Sequence, residues 1–361
     1  MSYICSVATS IPQFELAQSE IKEFVRNIFP RSEREISRLL PVFENAAIEN
    51  RQFVVPKDWF TVNHSFQKRN AFYQQEAIEH SIQAIDACLT DKSFLSEPID
   101  YNKIDCIIFV SSTGISTPSI DAHIINMLNF REDVVRIPLW GLGCAGGASG
   151  IARAHDWLTS NPDKTALVVC VELCSLTFQK DDHKKSNFIG TALFGDGIAA
   201  ALMVGNESSL LKLCNHMSPM VQRTSSRIKK QTLDVMGWDI TNDGFEVVFA
   251  KSIPHLVETF WKQHVFDFLK EQQLTVDDLP FIVAHPGGKK VLEAFERVLN
   301  VTSNVFYHSY ETLKNHGNMS SPTVLYVLKA WMSEQRKQGD KSMLASLGPG
   351  FSSELVSLEW I

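Results

Sequence analysis

Short apolar runs alternate with amphipathic helical stripes in this chain, and they do so twice. Residues 77–89 place Ile78, Ile82, Ile85 and Leu89 at helical spacing. Expected strands follow at 104–110, 133–139, 166–172 and 198–204, with expected helices at 119–128 and 144–158. The second part repeats the order. A helix over 253–269 carries Leu256, Phe260, Val265 and Phe268 broadly on one face. After it come a strand over 281–284, a helix over 291–299, a strand over 305–308, a helix over 321–332, and strands over 343–347 and 355–358. Such alternation predicts right-handed βαβ units around a largely parallel sheet. The expectation is an α/β chain of two similar halves, 1–208 and 209–361, joined near 205–215 and each contributing a central sheet.

The 361 residues are enough for two domains or one large duplicated domain. Lys plus Arg is 34 against 41 for Asp plus Glu, a net charge of −7, which argues against a general nucleic-acid binder. No apolar run approaches the ~18 residues needed to cross a bilayer. The start, Met1-Ser2-Tyr3-Ile4-Cys5-Ser6-Val7, has no basic leader before a hydrophobic segment, so the chain is expected to be cytoplasmic. Its seven cysteines are odd in number and scattered through apolar segments, which suits reduced thiols. Cys170 and Cys174 are four apart, but no second ligand pair completes a metal site.

One cysteine stands apart. Cys144 lies in Gly141-Leu142-Gly143-Cys144-Ala145-Gly146-Gly147, between an expected strand and an expected helix. A helix N-terminus supplies partial positive charge and free N–H groups, which favour thiolate, and glycines let backbone N–H groups approach a reacting carbonyl. The plainer reading, a small packing residue, suits the other six. Gly141, Gly143 and Gly146 also spell the G-x-G-x-x-G of dinucleotide sites, with Glu172 placed like the ribose-binding acid. Arg136 and Pro138 in the preceding strand, and the mid-chain position, count against that alternative.

Two further motifs give Cys144 partners. His285 leaves a buried strand into Pro286-Gly287-Gly288, which presents its ring at a cleft floor. Asn318 sits in the polar turn Asn315-His316-Gly317-Asn318-Met319-Ser320-Ser321-Pro322, ahead of an apolar helix. Separately they read as a structural histidine and a helix cap. Together with Cys144 they make a Cys-His-Asn set, the type that forms an acyl-enzyme and stabilises an oxyanion.

On these motifs almost the whole chain resembles the thiolase-fold condensing enzymes, specifically the chalcone synthase-like type III polyketide synthases. The resemblance runs through Gly143-Cys144-Ala145-Gly146-Gly147, Glu172 to Phe178, Gly190 to Gly197, His285-Pro286-Gly287-Gly288, Gly317 to Ser321, and Gly348-Pro349-Gly350. It implies duplicated α/β halves forming a five-layered αβαβα core. Cys144 would take an acyl-CoA starter, with His285 helping to keep the thiolate. His285 and Asn318 would stabilise the enolate left when malonyl-CoA loses carbon dioxide. No metal or redox cofactor is implied. Phe194 matches the family's gate. Thr113, Cys174, Thr177 and Ser320 match cavity positions, as does Pro349 in the C-terminal motif. Thr117 matches a residue projected into a partner subunit, which implies a homodimer. Initiating ketoacyl synthases follow the histidine with Gln-Ala-Asn, biosynthetic thiolases use a second cysteine, and hydroxymethylglutaryl-CoA synthase adds a glutamate; none of these patterns is found here.

Departures bear on the product. Val247 stands where plant members carry a second gating phenylalanine, and Trp238 where they carry glycine. Around residues 43–51, where plant members carry several basic residues for CoA phosphates, Glu44, Asn45 and Glu49 leave only Arg51 as a match. CoA would then bind through other cations, or an acyl carrier protein would deliver the starter. Met236-Gly237-Trp238-Asp239 looks more like bacterial members, which suggests a long-chain acyl starter and an alkylpyrone or alkylresorcinol product. The alternatives are a single-condensation 3-ketoacyl synthase of the initiating type and a catalytically inactive scaffold.

Overall fold

The computed structural model describes residues 1–29, 32–215 and 217–361. The first half supplies β1 (Ser2–Ser10), β2 (Phe14–Ala17), β3 (Asn50–Phe53), β4 (Cys106–Ser111), β5 (Val135–Trp140), β6 (Thr165–Leu173) and β7 (Asp196–Gly205). The second supplies β8 (Pro219–Ile228), β9 (Met236–Thr241), β10 (Gly244–Phe249), β11 (Phe281–Ala284), β12 (Lys341–Gly348) and β13 (Ser352–Trp360). Nine strands run in the order β11-β12-β13-β8-β1-β7-β6-β4-β5, while β2 pairs with β3 and β9 with β10. The two halves meet in this sheet at a narrow seam, where Ser2 and Tyr3 of β1 pair with Val221 and Met220 of β8.

The sheet is mixed, which corrects the largely parallel expectation. β4 is parallel to β5 and β6, and β11 to β12; the other neighbours in the sheet are antiparallel. Strands buried on both faces read as continuous apolar runs whichever way they point, so the sequence carries no sign of direction.

The helices form three layers around the two halves of the sheet. Gly146–Ser160 packs on β4 and β6 on one side and on β12 and β13 on the other. Thr323–Met332 likewise touches β1 and β7 as well as β11 and β12, so both helices form the middle layer. Phe66–Thr90 covers the outer face of β1, β6 and β7, and Lys262–Glu271 packs against β13 on the opposite outside. Alternation along β11 shows the layering. Phe281 and Val283 join the core that holds the middle helices, while Ile282 and Ala284 join the core under Lys262–Glu271 and Lys289–Leu299. The middle helices approach closely because Gly147 has no side chain; a Cβ there would lie 2.3 Å from Ser321 O.

Three local expectations change. Residues 305–308 are not a strand: Ser303–Phe306 is a 3₁₀ turn leading into the helix Tyr307–His316. A short apolar run has no period long enough to separate the two. The helix expected from residue 144 begins at Gly146, after the 3₁₀ turn Gly143–Ala145. Cys5 and Cys214 are not free thiols but a disulfide. An isolated bridge between Leu95 and Cys214 holds that segment, and the Cα atoms of the two cysteines lie 5.5 Å apart across a separation of 209 residues. Spacing in sequence cannot reveal such a pair. Among the described residues, no helix is long and apolar enough to cross a membrane.

Candidate active site

Strand ends converge on Cys144. β5 ends at Trp140, and Gly141 and Gly143, with φ of 86° and 47°, turn the chain into the middle helix. The Gly143 N–H donates to Ser112 Oγ at 3.1 Å, just beyond β4. Among the five free cysteines, Cys144 alone is not fully buried. From the other half, the turn after Tyr307–His316 brings Asn318 across, so that Cys144 Sγ lies 3.8 Å from Asn318 Oδ1. The same Oδ1 accepts the Ser320 N–H at 2.8 Å, and Asn318 Nδ2 donates to Gly287 O at 3.2 Å.

His285 follows β11, its N–H held by Ala345 O at 2.8 Å. Both ring nitrogens are buried without a hydrogen-bond partner. Buried polar atoms are nearly always paired, so both nitrogens are available to a partner that the surrounding side chains do not supply. A Cβ on Gly287 would lie 3.8 Å from His285 Nε2, and the Gly287 carbonyl is the acceptor for Asn318 Nδ2; the two donors therefore flank one glycine. Burial lowers the imidazole to about 3. Although Cys144 is partly open, the atoms packed around Sγ push its thiol up to about 11, opposed by Ser320 and Asn318 and assisted by the charge of Glu172. Burial thus disfavours the charged form of each group, and no hydrogen bond joins them.

Glu172 is buried, accepting from the Ser112 N–H and from Ser321 Oγ, each at 3.0 Å. A carboxylate committed in this way cannot receive a ribose, which removes the dinucleotide alternative. Burial pushes it up to about 7. The Thr113 hydroxyl accepts from the Leu173 N–H at 2.9 Å, and the Thr177 hydroxyl donates to Cys174 O at 2.7 Å, so both lie at the ends of β4 and β6. Ser320 is buried with φ of 60°, and Pro349 packs over Gly143. Thr117 is exposed, apart from this cluster.

Two spaces flank residues 193–194. One, of about 60 Å³, is bounded by Cys174, Thr177, Phe194, Trp238 and Val247. Its far wall is Ile21, Phe24, Val25 and Ile28, one face of the helix Gln18–Ile28. The other, of about 480 Å³, is rimmed by Arg38, Lys185, Lys251, Lys289 and Lys290 and reaches Leu193 and Gly287. Phe194 lines the apolar chamber, Leu193 before it lines the basic cleft, and Phe194 pairs with Asn318 as an isolated parallel bridge. Val247 lies directly opposite Trp238 in the β9–β10 ribbon, and the Trp238 ring sits 6.1 Å from that of Phe194.

Arg51 is a correction. It is 1% exposed, and its guanidinium donates to Thr191 O, Phe194 O and Gln18 Oε1, so it cannot meet a CoA phosphate at the surface. The cleft's cations were missed by sequence reasoning, since singly each reads as a solvated charge; the adjacent Lys289 and Lys290, opening a helix after the His285 turn, were the available signal.

A thiol at a helix start, an orphaned imidazole and a carboxamide are the groups that acyl transfer through a thioester needs. The comparisons with known proteins agree. The chalcone and stilbene synthase N-terminal domain matches residues 50–208, and the C-terminal domain matches 221–361. A provisionally named chalcone synthase of Bacillus subtilis (strain 168) is 45% identical over all of this chain and 99% of its own. The 1,3,6,8-tetrahydroxynaphthalene synthase of Streptomyces peucetius subsp. caesius is 33% identical, over 99% of this chain and 93% of its own. The crystal structure of 1,3,6,8-tetrahydroxynaphthalene synthase from Streptomyces coelicolor A3(2), a bacterial type III polyketide synthase, superposes with a TM-score of 0.89 at 29% identity, covering 99% of each chain.

The chain therefore belongs to the chalcone and stilbene synthase family, with the thiolase-like fold of the type III polyketide synthases. These are decarboxylating condensing acyltransferases that use CoA thioesters, and this is the class of enzyme the chain represents.

Proposed function

We propose that this enzyme loads a fatty acyl starter on Cys144, extends it with malonyl-CoA and releases a cyclised alkylpyrone or alkylresorcinol. The observation that carries the starter is the apolar lining of the chamber beside Phe194, walled by the helix Gln18–Ile28. A lining of this kind suits an alkyl chain, whose burial contributes ~0.8 kcal/mol per CH₂.

Cys144 gives up its proton and attacks the starter carbonyl, and CoA leaves as the thiol. Malonyl-CoA, its chain entering through the basic cleft, then loses carbon dioxide. His285 Nε2–H and an N–H of Asn318 Nδ2 donate to the enolate oxygen, and the apolar Phe194 ring near the carboxylate favours loss of its charge. The enolate carbon attacks the Cys144 thioester, the sulfur departs, and the lengthened chain is recaptured on Cys144. Each step uses side chains and thioesters, with no metal or redox cofactor. The rim of Arg38, Lys185, Lys251, Lys289 and Lys290 receives the CoA phosphates, or an acidic carrier protein bearing the starter. Thr113, Thr177, Cys174, Ser320, Trp238, Val247 and Pro349 shape the space around the growing chain. A cytoplasmic location is part of this reading; five of the seven cysteines are unpaired, while the Cys5–Cys214 disulfide counts against it.

It works as a homodimer. β5 closes one end of the nine-stranded order, so one edge of it is unpaired. Around it Trp140, Met127 and Ile115 are 50%, 64% and 45% exposed. An apolar sheet edge is a surface that another chain covers, and Thr117 lies on the loop beside Ile115.

The test is a panel of acetyl-, hexanoyl-, lauroyl- and palmitoyl-CoA with labelled malonyl-CoA, with products identified by mass. Triketide and tetraketide pyrones or resorcinols from the long starters are expected. A single β-ketoacyl product would assign the initiating-synthase alternative, and products built from malonyl-CoA alone would overturn the fatty starter. No adduct on Cys144 would leave only the scaffold.

A further inference from the structure

The gate and the catalytic carboxamide share one mount. Phe194 caps the helix Lys185–Leu193, whose last turn carries no basic residue of its own. Beyond it, the Asn318 N–H donates to Leu193 O at 2.9 Å and the Gly195 N–H donates to Asn318 O at 3.1 Å, so residues 193–195 and 318 are stitched together.

Arg51, on β3, grips this mount from behind. Its Nη1 donates to Thr191 O at 2.7 Å and to Phe194 O at 2.6 Å, the carbonyls that a helix C-terminus leaves unpaired. Its Nη2 donates to Gln18 Oε1 at 2.7 Å, and Gln18 Nε2 donates in turn to Ala192 O at 2.9 Å and to Phe43 O at 3.4 Å. The other side of the mount rests on the arginine stem. Gly317 has φ of 68°, and a Cβ there would lie 2.7 Å from Arg51 Cδ. A buried guanidinium spent on backbone carbonyls is costly to desolvate; the Asp196 carboxylate nearby, held by the Val54 N–H and by Ser175, offsets part of that cost.

We propose that Arg51 is a positioning residue for the condensing reaction: by holding the Thr191 and Phe194 carbonyls it sets how the Phe194 ring and the Asn318 amide face the reacting thioester. The inference rests on the roles proposed above for Phe194 and Asn318. A planar fork is required, because one ammonium cannot span both carbonyls and Gln18 in the same geometry.

The experiment compares Arg51→Met, Arg51→Lys, Gln18→Leu and Asn318→Ala with the unaltered enzyme. Acylation of Cys144 by lauroyl-CoA is followed by intact mass, and carbon dioxide release from labelled malonyl-CoA is followed across its concentration range. Arg51→Met is expected to acylate within about twofold of normal, while kcat for carbon dioxide release falls about ten- to a hundredfold at nearly constant KM, the signature of misplaced groups. Arg51→Lys should fall between, and Gln18→Leu should move the same way by less; the latter carries the test if Arg51→Met fails to fold. A raised malonyl-CoA KM with unchanged kcat would make Arg51 a CoA contact. Acylation and decarboxylation falling together with the folded fraction in every variant would make it structural only. Either result overturns the inference. Normal carbon dioxide release in Asn318→Ala would instead overturn the reading beneath it, whereas loss there with none in folded Arg51→Met sinks the Arg51 role alone.

Discussion

Burial works against charge on both Cys144 and His285, so the structure predicts that the sulfur keeps its proton until the starter arrives. Burial pushes the thiol up to about 11 and the imidazole down to about 3. Alkylation of Cys144 by iodoacetamide should therefore rise through neutral pH without a plateau and inflect well above the ordinary thiol value of ~8.5. An inflection near or below neutrality would show a preformed ion pair. Glu172 sharpens the test, because its charge raises the thiol: Glu172→Gln should move the inflection down. The same residue links pH to stability. Its carboxyl rises from 4.5 to about 7 on folding, so the folded state holds the proton more tightly, and stability falls as pH rises through that window. Glu172→Gln should abolish that fall in a denaturant titration run across pH. His285 acts at the other end: its value drops from 6.5 to about 3, so stability is lost as pH falls between them. Cys144, His285 and Asn318 are legible in sequence because each sits in a glycine-containing turn at the end of a strand or helix. Arg51 is not, because an arginine that holds carbonyls inside looks the same in sequence as one that holds phosphates outside.

The helix Gln18–Ile28 and the β9–β10 ribbon wall the chamber in which the proposed starter would lie. Ile21, Val25 and Ile28 recur at helical spacing on one face, and that face lines the chamber. Filling it should shorten the starter. Val25→Trp is expected to lower kcat/KM for palmitoyl-CoA about tenfold or more while sparing hexanoyl-CoA, measured side by side; equal loss for both would mean that the chain lies elsewhere. On the ribbon, the register sets Trp238 against Val247, so the wide wall and the narrow wall are neighbours. Sequence reasoning identified both departures but could not sign their sum. The helix Gln18–Ile28 went unread, since nothing in eleven residues says that its apolar face borders a cavity rather than a packed core.

For the whole molecule, the exposed β5 edge is the surface on which the proposed homodimer would close. Light scattering after gel filtration should give twice the 40.6 kDa of one chain. Met127→Lys together with Trp140→Lys, two charges on the apolar edge, should shift the particle toward monomer; unchanged mass would place the interface elsewhere. Element type was legible nearly throughout, for instance strand 281–284, which the structure reproduces as Phe281–Ala284. Residues 305–308 failed because four apolar-rich positions fit a strand or a helix entry equally well. By itself the sequence pointed to α/β alternation, to Cys144, His285 and Asn318 as the candidate reactive groups, and to the family they resemble, because periodicity and turn chemistry are local properties of the chain. Only the tertiary structure decided strand direction, the Cys5–Cys214 pairing, the inward use of Arg51, the burial around the thiol and the chamber beside Phe194. Each of those depends on which distant segments exclude water from one another, and burial has no signature at a single position.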